Sequence, residues 1–237
     1  MSPFQFKQFA VAQDQCAAKI GTDGVLLGAW VSLIHKPYSI LDIGTGTGII
    51  ALQLSQRSQS EVIDAVELDP NAFEQATINF ENSPWNDRLF CYHANISDFA
   101  SEMEDTYELI VTNPPYYEPT QKSNDAARDL ARFEDALPFT LLLDCTKNLL
   151  DESGQFATII PYSREDEFLS LAAEVDLFPN AITRVRGMEN TPIKRSLMQF
   201  SRKQHPTLEI QELVIEKSRH VYTVAYQSLV KNFYLKM

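Results

Sequence analysis

Four short stretches place chemistry-bearing residues just past runs that read as buried strands. Asp42-Ile43-Gly44-Thr45-Gly46-Thr47-Gly48 follows the first and leads at once into Ile49-Ile50-Ala51-Leu52. Glycines there let the backbone turn tightly and bring amide groups close to a ligand at a helix N-terminus. The spacing is G-x-G-x-G with an acid ahead of it, not the G-x-G-x-x-G of a dinucleotide site. About 20 residues on, Ala65-Val66-Glu67-Leu68-Asp69 sets a carboxylate, Glu67, where it can accept both hydroxyls of a ribose. His93-Ala94-Asn95-Ile96-Ser97-Asp98 then offers a polar side chain for an adenine edge and an apolar neighbour for its face. Asn95 with Ile96 suits that role, with Asp98 as the alternative. Finally, Leu109-Ile110-Val111-Thr112 runs into Asn113-Pro114-Pro115-Tyr116. Proline cannot donate to a sheet ladder, so the strand stops there. Such a corner is either a plain turn or a stiff edge that grips something flat. Four successive strand tips point to one crevice, where open α/β sheets bind ligands.

DIGTGTG, the VELD turn and TNPPY, in this order, resemble the class I S-adenosylmethionine-dependent methyltransferases of the amino-methylating kind. KIGTDGVLLGAW before the glycine loop and VYTVAYQSLVKNFYL near the C-terminus resemble the bacterial tRNA adenine-N6 methyltransferases. That family modifies the adenosine beside the anticodon of a valine tRNA. The similarity spans nearly the whole chain. It implies an α/β, Rossmann-like class I methyltransferase fold with a mostly parallel seven-stranded sheet, helices on both faces and a short N-terminal extension. It implies S-adenosylmethionine as cofactor and a tRNA anticodon stem-loop as partner. The cofactor contacts expected are Thr22, Asp42, Gly44, Thr45, Gly46, Gly48, Glu67, Leu68, Asn95, Ile96 and Asn113. Asn95 departs from the aspartate of many superfamily members.

On this resemblance the NPPY corner acquires a chemical role. The exocyclic amine of adenine is a poor nucleophile because its lone pair is delocalised into the ring. The Asn113 side-chain oxygen and the Pro114 carbonyl, aimed at its hydrogens, would favour a pyramidal nitrogen. Pro115 stiffens the corner so that the geometry is set in advance. Tyr116 offers a stacking face for a flipped-out base. No metal and no covalent enzyme intermediate is needed. NPPY also occurs in enzymes that methylate glutamine amides of release factors and in DNA adenine methyltransferases, so it does not name the substrate. A nucleotide-binding module without catalysis is the alternative of a different class.

The elements that must hold these tips alternate. Strands are expected at Ser39–Asp42, Val62–Glu67, Leu89–His93, Glu108–Thr112, Gln155–Pro161 and Ala181–Arg186, with late strands at Ser196–Arg202 and Leu208–Ile215. Helical spacing of apolar residues marks Ile49–Arg57, Asn71–Phe80, Asp135–Leu150 and Glu165–Glu174. The alternation argues for an open, mostly parallel sheet that finishes with an antiparallel edge. In the lead-in, residues 1–37, FQFKQF suggests a strand or hairpin and Val25–Leu33 a helix, with Thr22 or Asp23 placed to cap it. Tyr222, Ala225, Tyr226, Leu229 and Phe233 share a face of a C-terminal helix that should dock on the body. No linker divides the chain, so one domain over 1–237 is expected.

Cys16, Cys91 and Cys145 are few and far apart, so neither a disulfide framework nor a metal cluster is encoded. No signal peptide or membrane-length apolar run is visible, and a monomeric cytoplasmic protein is expected. Net charge is −12, which argues against a polyanionic partner until its distribution is read. Residues 1–180 hold 10 Lys/Arg against 28 Asp/Glu, and residues 181–237 hold 10 against 4. Arg184, Arg186, Lys194, Arg195, Arg202 and Lys203 form a basic run that either contacts tRNA phosphates at the rim of the crevice or is a solvated face.

Overall fold

The computed structural model describes residues 2–17, 19–115 and 137–236. Tyr116 lies outside them. The chain begins with a small hairpin, β1 (Phe4–Gln5) and β2 (Ala10–Val11), and helix α1 (Thr22–Trp30). There follow β3 (Ser39–Ile43), α2 (Ile49–Arg57), β4 (Val62–Glu67), α3 (Pro70–Glu81), β5 (Leu89–His93), α4 (Ile96–Glu102) and β6 (Tyr107–Thr112). Further along are α5 (Phe139–Leu149), β7 (Leu150–Pro161), α6 (Glu165–Glu174), β8 (Phe178–Met188), β9 (Ile193–Ser201), β10 (Glu209–Ser218), β11 (Val221–Tyr222) and α7 (Val224–Val230).

The main sheet has nine strands in the order β11-β10-β8-β9-β7-β6-β3-β4-β5. Seven of them, β5 through β8, make the expected sheet, and β10 and β11 extend its edge. Strands β5, β4, β3, β6 and β7 run parallel. Their interiors are continuous apolar runs such as Ile40-Leu41 and Leu109-Ile110-Val111, all at 0 % exposure, as befits a sheet covered on both faces. One core holds side chains of α1, α2, α3 and α7, and the second those of α4, α5 and α6. No helix among the described residues is long and apolar enough to cross a membrane.

The antiparallel expectation needs correcting in place. The antiparallel strand is β9, which sits inside the sheet between β7 and β8. The link from β8 to β9 is too short for a crossover, so the two must form a hairpin. Strand β10, next to the edge, is parallel to β8, and the two-residue edge strand β11 is antiparallel to β10. Further differences are local. Thr22 and Asp23 do not cap α1: Gly21 is the N-cap without a side-chain bond, and the Asp23 carboxylate accepts instead from Arg195 at 2.7 Å. Helix α5 stops at Leu149, and β7 begins at once with an irregularity around Asp151–Gly154. On the C-terminal segment Tyr226, Val230 and Phe233 are buried, whereas Ala225 is exposed and Tyr222 belongs to β11.

The turn from β3 into α2 depends on backbone conformations that suit glycine. Gly46 and Gly48 have φ of +57° and +80°. A Cβ on Gly48 would lie 2.5 Å from the Phe80 ring, which is itself buried. Gly48→Ala is therefore expected to destabilise the fold by about 1–3 kcal/mol through the strained conformation alone. Urea denaturation checks this; an unchanged midpoint would show that the loop accepts a side chain at this position without strain.

Candidate active site

The carboxyl ends of β3, β4, β5 and β6 open onto a cavity of about 540 Å³, within the range of small-ligand sites. Its walls include Gly44, Gly46, Glu67, Leu68, Asn95, Ile96, Asn113, Pro114 and Pro115. The four motifs do converge. Sequence reasoning missed other walls: Cys16 and Ala17 from the lead-in, Asp69 and Ala72 at the start of α3, and Leu137, Pro138 and Leu141 beside α5. Apart from Asp69, which ends the VELD turn, these residues belong to no motif and come close only through the fold.

The loop after β3 is held from below and from the side. Asp42 is fully buried, and its Oδ2 accepts from the Thr45 hydroxyl at 2.6 Å and the Ala51 amide at 3.3 Å. Burial in a poorly solvating environment pushes its carboxyl up to about 7, against the pull of those two bonds. Glu67 Oε2 accepts from the Gly46 amide at 2.8 Å, and its Oε1 from the Asp69 amide at 2.9 Å. Each oxygen keeps a lone pair for a ligand hydroxyl. Asp69 in turn caps α3 by accepting from Ala72. Asn79 reaches across from α3: its Oδ1 accepts from Ala12, and its Nδ2 donates to the carbonyls of Ala12 and Thr47. The lead-in is thus fastened to the glycine loop.

At the tip of β6, the Thr112 hydroxyl donates to the Ile43 carbonyl at 2.8 Å, which locks β6 to β3 one residue before Asn113. The Asn113 Oδ1 is buried and has no hydrogen-bond partner among the described residues. An orphaned acceptor of this kind is costly unless something else fills the role.

Several expected contacts fall elsewhere. Asp42, Thr45 and Gly48 are not on the cavity wall; they shape the loop from behind. Thr22 is on α1 and does not line the cavity. Asn95 lines it, but its Oδ1 is used in accepting from the Ser97 amide and hydroxyl, which caps α4. Asp98 is exposed and off the wall, so the alternative adenine contact is not in place. The Cys16 thiol is pushed up to about 11 by burial and then by the charge of Glu67, so it stays protonated.

A family model for the Methyltransferase small domain matches residues 25–137. A Flavobacterium johnsoniae protein named tRNA1(Val) (adenine(37)-N6)-methyltransferase is 56% identical over 234 residues, covering 99% of this chain and 100% of its own. A Yersinia enterocolitica protein of the same name is 42% identical, covering 98% of this chain and 92% of its own. The chain belongs to this family. A solved structure described as a predicted O-methyltransferase, from Agrobacterium tumefaciens, matches with a TM-score of 0.69 at 16% identity, over 89% of this chain and 96% of that one. A structure from Listeria monocytogenes described as a putative class I S-adenosylmethionine-dependent methyltransferase matches with a TM-score of 0.54 at 16% identity, over 88% of this chain and 68% of that one. The fold is that of the class I methyltransferases.

The basic run of this family member is split by the direction of β9. Arg184 and Arg186 lie toward the carboxyl end of β8, and Lys194 and Arg195 begin β9 beside them, at the edge that carries the cavity. Arg202 and Lys203 follow the other end of β9, about 26 Å away for a strand of that length. The expected single cluster is therefore two. Arg184 is paired with buried Glu165 at 2.7 Å, Arg186 with Glu212 at 2.6 Å, and Arg195 with Asp23. Arg202 donates to the carbonyls of Lys147 and Leu150 and anchors the start of β7.

The buried acid gives a pH test. A carboxyl raised from 3.8 to about 7 in the folded state contributes stability that is present below the unfolded value and is lost as pH rises through the folded one. Asp42→Asn should therefore gain on the wild type between pH 5 and 7, by up to about 1.4 kcal/mol per pH unit. Urea midpoints at both pH values measure it. A constant difference between the two proteins would show that Asp42 titrates normally.

Proposed function

We propose that this chain transfers a methyl group from S-adenosylmethionine to N6 of adenosine 37, beside the anticodon of a valine tRNA. The carrying observation is the buried, unpartnered Asn113 Oδ1 on the cavity wall at the tip of β6. An acceptor held in place with nothing to accept suits an amine that arrives with the substrate. The relatives named above act on such an adenine, and they match this chain over nearly its whole length.

The cavity residues fit the cofactor. Glu67, held in place by two backbone amides, would accept the ribose hydroxyls, and Ile96 and Leu68 would supply apolar faces for the adenine. With its oxygen committed to Ser97, Asn95 presents its Nδ2, a donor for a ring nitrogen rather than an acceptor for the exocyclic amine. When bound, S-adenosylmethionine supplies an electrophilic methyl on a sulfonium. Asn113 Oδ1 and the Pro114 carbonyl accept the two hydrogens of the target amine, which turns its lone pair out of conjugation. Pro115 keeps that corner rigid, and Tyr116 is the stacking face for the flipped base. Only alignment is asked of the protein, so no nucleophilic side chain is assigned. The chain acts as one methyltransferase domain, with the lead-in closing one side of the cavity through Cys16 and Ala17.

The tRNA approaches the edge that carries Lys194, which is exposed. Lys194→Glu should weaken tRNA binding and flatten its salt dependence, whereas Lys203→Glu, at the opposite edge, should do much less. Filter binding across a salt series reads both; equal losses would mean that neither lysine marks the docking edge. For the reaction, methyl-labelled S-adenosylmethionine is offered with unmodified tRNA, duplex DNA or a release factor. Label in tRNA as N6-methyladenosine is expected. Label in the release factor alone would establish glutamine methylation instead.

Glu67→Ala should lower cofactor affinity by about 1.5–3 kcal/mol, the range for hydrogen bonds to a charged group. Calorimetry showing wild-type affinity would take Glu67 out of the ribose site.

A further inference from the structure

We propose that Tyr162 is a stacking platform for a nucleobase next to the target adenosine in the RNA, and so a specificity-determining residue of this enzyme. The inference rests on the RNA reading of the site and adds a contact that none of its motifs contains.

Tyr162 opens a short 3-10 turn, Tyr162–Arg164, at the carboxyl end of β7. Strand β7 pairs with β6 in a register that sets Thr158 opposite Thr112. Extended at about 3.3 Å per residue, β7 carries Tyr162 about 10 Å beyond the level of Asn113, one strand to the side. Neighbouring nucleotides of a splayed-out RNA loop span such a separation. The ring thus stands at the rim between the cavity and the basic end of β8 and β9.

Both flanks of the turn are fastened. On the cavity side the Arg164 guanidinium lies 4.1 Å from the centroid of Phe139, the residue after cavity-lining Pro138, and bonds Glu167 at 2.6 and 2.8 Å. On the other side the Arg184 guanidinium lies 5.4 Å from the centroid of Tyr162 itself. Arg184 is held by Glu165, which is 2 % exposed and also accepts from the Ser196 hydroxyl. These contacts fix the turn, yet Tyr162 remains 37 % exposed. A lone exposed aromatic on a loose loop needs no explanation. A ring that faces the Arg184 guanidinium, on a turn fastened by Arg164 to the wall beside the site, is another matter. Aromatic faces with nearby arginine are what unstacked RNA bases bind.

The test uses the full-length protein with an anticodon stem-loop and with stem-loops lacking the base on either side of the target adenosine. Tyr162→Ala should raise KM for the intact stem-loop about tenfold or more, and Tyr162→Phe should change it about twofold at most. Affinity for S-adenosylmethionine and the melting temperature should stay at wild-type values in both. On one of the two abasic stem-loops the wild type and Tyr162→Ala should become equal, a convergence that a purely structural role would not produce. An unchanged KM in Tyr162→Ala, or a gap that persists on both abasic substrates, overturns the proposal while leaving tRNA methylation standing. A wild-type protein that methylates no stem-loop and no tRNA removes both.

Discussion

Asp42 sits at 0 % exposure beneath the glycine loop, and its Oδ2 ties the Thr45 hydroxyl to the first turn of α2. From the neighbouring strand, Glu67 draws the Gly46 amide toward the cavity. The two carboxylates clamp one loop from opposite sides, and everything that faces a ligand is set by where that loop lies. Phe80 closes the space behind Gly48, so the loop cannot retreat. Asn79 then carries its position to the lead-in, which forms part of the cavity wall. The energetic cost of a buried acid is concentrated where the backbone must be most sharply defined.

Nucleic-acid binding by so acidic a chain is a matter of where positive charge is left unspent. Arg184, Arg186 and Arg195 each engage an acidic side chain, and Arg202 engages backbone carbonyls. They tie β8 to α6 and β10, β9 to α1, and the end of β9 to the start of β7. Lys194 is exposed at the carboxyl edge and Lys203 at the other. Of the basic run, this leaves Lys194 at the edge proposed for RNA docking, and rigid aromatic contact can matter there as much as charge.

Much of this could be read from the chain because period and punctuation agree. Val62–Glu67 and Leu89–His93 are apolar runs bounded by polar turns, and Ile49–Arg57 follows a glycine loop; all three form as expected. The convergence of Glu67, Asn95 and Asn113 follows from the rule that successive parallel strands share a carboxyl edge. What failed depended on strand direction or on competition for one side chain. A basic run looks continuous in sequence, but β9 carries its halves to opposite edges. Asp23 could have capped α1 and instead pairs with a residue 172 positions away. Asn95 reaches the cavity as expected, but the start of α4 engages its oxygen and leaves only its Nδ2 for a ligand. Tyr162 and the α5 wall carry no motif, so only the folded sheet brings them to the site.

The role given to the corner after β6 is tested most directly by single-turnover methyl transfer in Asn113→Ala, with the tRNA and cofactor saturating and cofactor affinity measured alongside. If the orphaned oxygen of Asn113 acts on the target amine, affinity for S-adenosylmethionine stays near the wild-type value. The transfer step should then slow by about two orders of magnitude or more, since the lost interaction belongs to the transition state. Transfer at the wild-type rate would contradict the assignment and leave the NPPY corner as a turn.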